Sequence, residues 1–114
     1  MTGAIHFPEG TPAFAGATVR VSLLDVTRAD APSRVIVEET IPHASHPGGA
    51  GGSFAFALRA GTVDARARYV VRVHVDVDND GRVSQGDYVT TASYPVLTFG
   101  HPNRVVAQVH RVGP

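Results

Sequence analysis

The chain contains no cysteine and no lysine. The first absence removes disulfides, thiolate zinc sites and cysteine nucleophiles, and leaves the redox compartment open. The second makes all ten basic residues arginine. It also weighs against a phosphate loop in Pro47-Gly-Gly-Ala-Gly-Gly-Ser53, which has neither the lysine nor the following helix and reads as a flexible surface loop. No apolar run approaches the ~20 residues of a membrane-spanning helix, and no signal peptide opens the chain. Helical periodicity is absent beyond a turn near residues 62–65, and no internal repeat is visible.

Negative charge is concentrated in one short segment. The formal net charge is zero, but four of the ten acids fall between residues 76 and 87. The arginines elsewhere form no basic run and carry no interleaved aromatics, which excludes the usual nucleic-acid footprint. There is no Gly-x-Ser-x-Gly elbow and no serine in a triad context. For paired-carboxylate chemistry only Glu9, Asp25, Asp30, Glu38, Glu39 and Asp64 remain. A non-catalytic protein is the expectation.

What is present is a series of short alternating segments punctuated by eight prolines and twelve glycines. Val19, Val21 and Leu23 alternate inward over 18–26, Val35, Val37 and Ile41 share a face over 34–41, and Phe54, Phe56 and Leu58 do so over 53–58. Tyr69, Val71, Val73 and Val75 repeat the pattern, as do Val105, Ala107 and Val109. With strands near residues 4–7 and 88–94, the count is about seven. At 114 residues the chain holds one modest core, so residues 1–114 are expected to form one all-β domain, an antiparallel β-sandwich of the transthyretin or immunoglobulin type.

Between the last two of the central strands the sequence runs Asp76-Val-Asp-Asn-Asp-Gly-Arg-Val-Ser-Gln-Gly-Asp-Tyr88. This matches the spacing of an EF-hand calcium loop. Oxygens come from the side chains of Asp76, Asp78 and Asp80, the carbonyl of Arg82, Ser84 directly or through a water, and Asp87, while Gly81 takes the sharp turn and Val83 ties the loop to a core. A hard cation needs six to eight oxygens, and alternate residues of a tightly curled loop can all aim inward. A plain hairpin turn would need only Asn79 to Gly81. Because the flanks read as strands, Ca²⁺ here would clamp a hairpin rather than swing helices apart. Asp87 is one methylene shorter than the usual glutamate, which weakens bidentate coordination and makes Mg²⁺ a competitor.

The stretch Val21-Ser-Leu-Leu-Asp-Val-Thr-Arg-Ala-Asp-Ala-Pro32 is similar to the "V-x-L-x-D-V-S-x-A-D-A-P" segment of YbaY/YscW-type lipoproteins. Tyr94-Pro-Val-Leu-Thr-Phe-Gly-His-Pro-Asn-Arg-Val105 resembles their "Y-P-V-L-T-x-G-x-P-x-x-V" segment. The resemblance covers nearly the whole chain. It implies a small β-sandwich with a protein-binding or chaperone role in the bacterial cell envelope, and in one branch a pilotin that helps an outer-membrane secretin assemble. The chain has no lipobox cysteine, and the calcium-loop pattern is not part of the family motif. The rival class is a small-ligand carrier or sensor, which would need an apolar cavity lined by Phe54, Phe56 and Tyr69.

The six histidines are scattered. His43 and His46 form a His-x-x-His pair in a Pro/Gly-rich region and read as solvated loop residues rather than zinc or copper ligands. His74 and His110 fall on the polar faces of strands and read as surface residues.

Overall fold

A computed structural model describes residues 1–28, 30–49 and 53–113. Residues 50–52 of the glycine-rich segment therefore lie outside the described residues. Eight strands form: β1 (Thr2–His6), β2 (Phe14–Asp25), β3 (Arg34–His46), β4 (Ser53–Ala57), β5 (Tyr69–Asp76), β6 (Tyr88–Thr90), β7 (Pro95–Val96) and β8 (Arg104–Arg111). Among the described residues there is no helix, and hence none long and apolar enough to cross a membrane.

The strands follow one hydrogen-bonded path, β3-β2-β5-β6-β8-β1-β4, with β7 attached to β5. β8 joins its halves. Residues 104–108 pair in parallel with β1, and Val109, His110 and Arg111 pair antiparallel with β6. Both halves contribute to one core cluster, with Ile5 and Phe56 from one side meeting Val19, Val21, Val71 and Val73 from the other. A path with one shared apolar interior must curl on itself, so the arrangement is nearly closed and barrel-like. This corrects the expectation of an antiparallel two-sheet sandwich. Alternation tells which residues face inward, but it is blind to strand direction, and the parallel β1–β8 pair joins segments far apart in sequence.

Most of the inward positions follow the two-residue period. Val19, Val21, Leu23, Tyr69, Val71, Val73, Val75, Ala107 and Val109 are all buried. Val35 is not, at 54% exposure. A register shift between Leu23 and Leu24 sets Val35 opposite Leu24, which is buried outside the main cluster, so the bulge moves Val35 away from the core face. The segment expected as one strand over 88–94 is strand only over Tyr88–Thr90, and the next strand, β7, begins at Pro95; Tyr94 between them accepts the Gln108 N–H on its hydroxyl at 2.9 Å.

Gly3 shows why the β1 end closes tightly. It pairs with Phe56 on β4 and Val105 on β8, and a Cβ there would stand 2.5 Å from Phe56 Cζ and 2.6 Å from the Val105 carbonyl oxygen. The ring occupies the space that the missing side chain leaves. Gly3→Ala is expected to cost roughly 1–3 kcal/mol by overpacking, read from urea denaturation. Adding Phe56→Leu should recover only part of the loss, since the backbone oxygen cannot withdraw; full recovery would show that the ring alone sets the requirement.

Candidate metal centre

The β2–β5 register places Thr18 opposite Asp76 and Arg20 opposite His74. Paired residues share a face, and positions two apart on a strand do as well, so all four project from the side opposite Val19 and Val75. Asp76 is nevertheless fully buried, because the loop that follows folds back over it. Two residues hold that fold. Asn79, at φ 57°, donates from its side-chain amide to the Gly16 carbonyl and accepts from the Thr18 hydroxyl, docking the loop tip onto β2. Gly81, at φ 78°, turns its N–H back to Asp76 Oδ2 at 2.9 Å.

Asp76 Oδ2 also receives Arg20 Nη1 at 2.9 Å. Its other oxygen, Oδ1, is buried with no hydrogen-bond partner among the described residues. Burial opposes the charged form of Asp76, but Arg20, the Gly81 N–H and Asp78 outweigh it and hold the carboxyl down at about 2. Asp78 moves the other way: desolvation raises it, a hydrogen bond from Ser84 opposes that, and hydrogen bonding to Asp76 with the charges of Asp80 and Asp87 raises it further. The site thus concentrates negative charge around one bare, buried oxygen.

Asp76, Asp78, Asp80 and Asp87 each bring one carboxylate oxygen within 4.8 Å of the others. Two ligands of one calcium ion stand at most about twice the 2.3–2.6 Å bond apart, so this spacing suits a shared cation. Asp80 Oδ1 meanwhile accepts the Arg82 N–H at 3.0 Å, and the Ser84 hydroxyl lies 3.0 Å from Asp78 Oδ2 and 3.3 Å from Asp87 Oδ2. Arg82 itself is exposed.

Asp87 is buried and works as a latch for the loop. Its Oδ1 accepts the Val77 N–H at 3.0 Å, and its Oδ2 accepts the Ser84 N–H at 3.1 Å and His74 Nε2 at 2.8 Å. A carboxylate accepts, so Nε2 carries the hydrogen. The backbone of Asp87 continues the tie, with its carbonyl accepting the Val112 N–H while Gly86 donates to the Val112 carbonyl, both at 2.8 Å.

Three expectations need correction. Val83 is 58% exposed and ties nothing to the core; docking runs instead through Asn79 and Asp87. His74 is half-buried against Asp87 rather than a surface residue, and with Asp76 and Asp87 it forms a second group of donors close enough to share an ion. His46 is buried, not solvated: its ring packs 4.9 Å from Phe7 and stacks on Phe14 at 5.8 Å, while His43 is exposed. Arg20 and His74 could not be picked out without the strand register, which sets them side by side across β2 and β5.

Comparison with known proteins now adds to this geometry. A family model described as "Type III secretion system lipoprotein chaperone (YscW)" matches residues 1–109. Among solved structures, that of an alternative pilotin from the type II secretion system of Vibrio cholerae is similar over 100% of this chain and 96% of that one, with TM-score 0.73 and 26% identity. No curated protein sequence matches.

Because the Asp76 carboxyl is lowered, its contribution to stability is complete above the ordinary value of 3.8 and is lost as the pH falls through about 2. In chelator, Arg20→Met should lower the urea midpoint above about pH 5, with the two profiles converging as the pH falls towards 2. Superimposable profiles would show that Arg20 does not hold the charge.

Proposed function

The chain belongs to the YscW family of type III secretion system lipoprotein chaperones, and from that premise we propose that it is a non-catalytic, protein-binding chaperone module of the bacterial cell envelope, stiffened by a calcium ion in the loop 76–87. The match across residues 1–109 carries the chaperone part. The likeness to a structure described as a pilotin supports a secretion-system protein as the partner, with an outer-membrane secretin the first to test. Deleting the gene should reduce the assembly of secretin multimers in the outer membrane, scored on heat-resistant multimers by gel. Undiminished multimers would count against the chaperone reading.

The calcium part rests on Asp76 Oδ1, a buried carboxylate oxygen that no protein donor meets. An unpaired buried oxygen of this kind costs about 1–3 kcal/mol or more when charged, and a cation held jointly with Asp78, Asp80 and Ser84 relieves both that cost and the mutual repulsion. The Arg82 carbonyl and Asp87 complete the set. Asp87 then contributes a single oxygen, since its donors from Val77, Ser84 and His74 already orient it. The rival reading, a small-ligand carrier, has less support: Phe56 is packed on Gly3 in the core rather than lining a cavity.

Calorimetric titration of chelator-treated protein should give a calcium dissociation constant in the micromolar to millimolar range, abolished by Asp76→Ala and by Asp80→Ala. Bound calcium should raise the melting temperature by mass action with little change in far-ultraviolet circular dichroism. Hydrogen exchange should slow around residues 75–90 while the Val19 and Phe56 strands stay unchanged. A loop that takes up no ion in millimolar calcium would reduce this segment to a hairpin turn.

A further inference from the structure

The end of the molecule opposite the acidic loop sets four arginines against the carboxylates of Asp25, Asp30 and Asp64. β5 carries the chain from Tyr69 to Asp76, roughly 23 Å at about 3.3 Å per residue. Around Tyr69 sit Arg28, Arg34, Arg66 and Arg68, all exposed. Two of these carboxylates serve local turns, and Asp30 is exposed. Asp25 Oδ1 accepts from the N–H and hydroxyl of Thr27, and Asp64 Oδ1 accepts the Arg66 N–H at 2.9 Å. The ion pair found at this end among the described residues is Arg34 with Asp25, at 3.9 Å.

Two clefts open between these arginines. One of about 390 Å³ is lined by Arg28, Arg34 and Arg66 together with Asp25 and Asp64. The other, of about 260 Å³, is mainly apolar, with Tyr69, Val70, Pro95 and Phe99 in its wall beside Arg68 and His101. A backbone rung divides them, the Val26 N–H donating to the Arg68 carbonyl at 2.8 Å.

The loop that shapes the apolar cleft is held in an unusual conformation. Leu97 at φ 74° and Phe99 at φ 55° both occupy the left-handed region that side-chain-bearing residues rarely adopt. Thr98 between them is buried and donates its hydroxyl to the Ala67 carbonyl at 2.6 Å. The outcome is a phenyl ring left 56% exposed at the mouth of the cleft, with the Arg68 guanidinium 4.7 Å over its face. Strain of this kind gathers at ligand clamps, and an exposed ring adds little to the core.

We propose that this end docks an acidic peptide segment of a partner protein, one apolar side chain entering the cleft beside Phe99 while flanking carboxylates pair with the surrounding arginines. The proposal rests on the protein-binding reading above and names its surface. Guanidinium groups offer forked donors that match carboxylates two at a time, and the apolar cleft suits a side chain. Val35 and Val63 are also exposed near these arginines, so the vesicle arm of the test separates a lipid surface, while the walled apolar cleft beside Phe99 favours a single inserted side chain.

The test uses the full chain and a fluorescein-labelled peptide of glutamates flanking one leucine, followed by anisotropy. Binding is expected, weakened about tenfold by the exposed double change Arg66→Glu with Arg68→Glu and by raised salt. It should be lost when serine replaces the leucine or lysines replace the glutamates. Phe99→Asn should also weaken binding while leaving the melting temperature equal or higher, since asparagine tolerates the left-handed backbone; a merely structural ring would lower it. Peptide affinity indifferent to the arginine reversal overturns the proposal, as does binding confined to phosphatidylglycerol vesicles. In cells, arginine variants that assemble secretin normally, where the gene deletion does not, overturn this surface and leave the chaperone reading intact. A deletion without effect removes the chaperone reading itself, and the anisotropy result still decides the surface.

Discussion

The whole architecture turns on β8 belonging to two neighbourhoods at once. Its first residues extend the β1–β4 pair, and its last ones extend the β6–β5–β2–β3 ribbon. Because Ala107 and Val109 straddle that division and are both fully buried, the strand carries a continuous apolar ridge from one group to the other. Without it, the five-residue strands β1 and β4 would form an isolated pair with little reason to stay folded. The tight seat of Phe56 over Gly3 and the tie between Asp87 and Val112 are local consequences of the same strand lying in place.

The acidic loop is built on this frame by a consistent electrostatic logic. One oxygen of Asp76 is satisfied by a guanidinium and an N–H, and both oxygens of Asp87 are satisfied by loop donors, so the protein's own groups set the loop backbone. What is left unsatisfied is concentrated at one buried atom. Preorganisation of this kind would lower the conformational cost of the proposed cation binding and confine its effect to the hairpin. Arg20 and His74 are the outer supports, and both stand on strands rather than in the loop.

How much of this was legible in the sequence depended on whether the information was local. The loop's spacing, its glycine turn and the inward sets on β2, β5 and β8 are properties of neighbouring residues, and they appear where expected. Val35 was misplaced because a bulge resets the period, and bulges leave no mark in an alternating pattern. Val83 was misplaced because an apolar residue in a loop says nothing of whether a partner surface lies within reach. The parallel direction of β1 against β8, the burial of His46 among Phe7 and Phe14, and the contact of His74 with Asp87 all depend on pairings across the fold.

The parallel pairing of β1 with β8 also sets the order in which the chain can fold. Closing a loop of about a hundred residues carries an entropic cost that grows with the logarithm of its length, and contacts so distant in sequence slow the search for the native state. The β2–β3 and β2–β5 pairings are nearer in sequence and can form while the remainder is still being made. Ile5 and Phe56, however, have no completed interior until Ala107 and Val109 arrive. A chain emerging from a ribosome therefore stays open along its β1–β4 edge until β8 is free to pair. Late closure leaves β1 and β4 without their covering strand while the β2–β3–β5 ribbon is already paired.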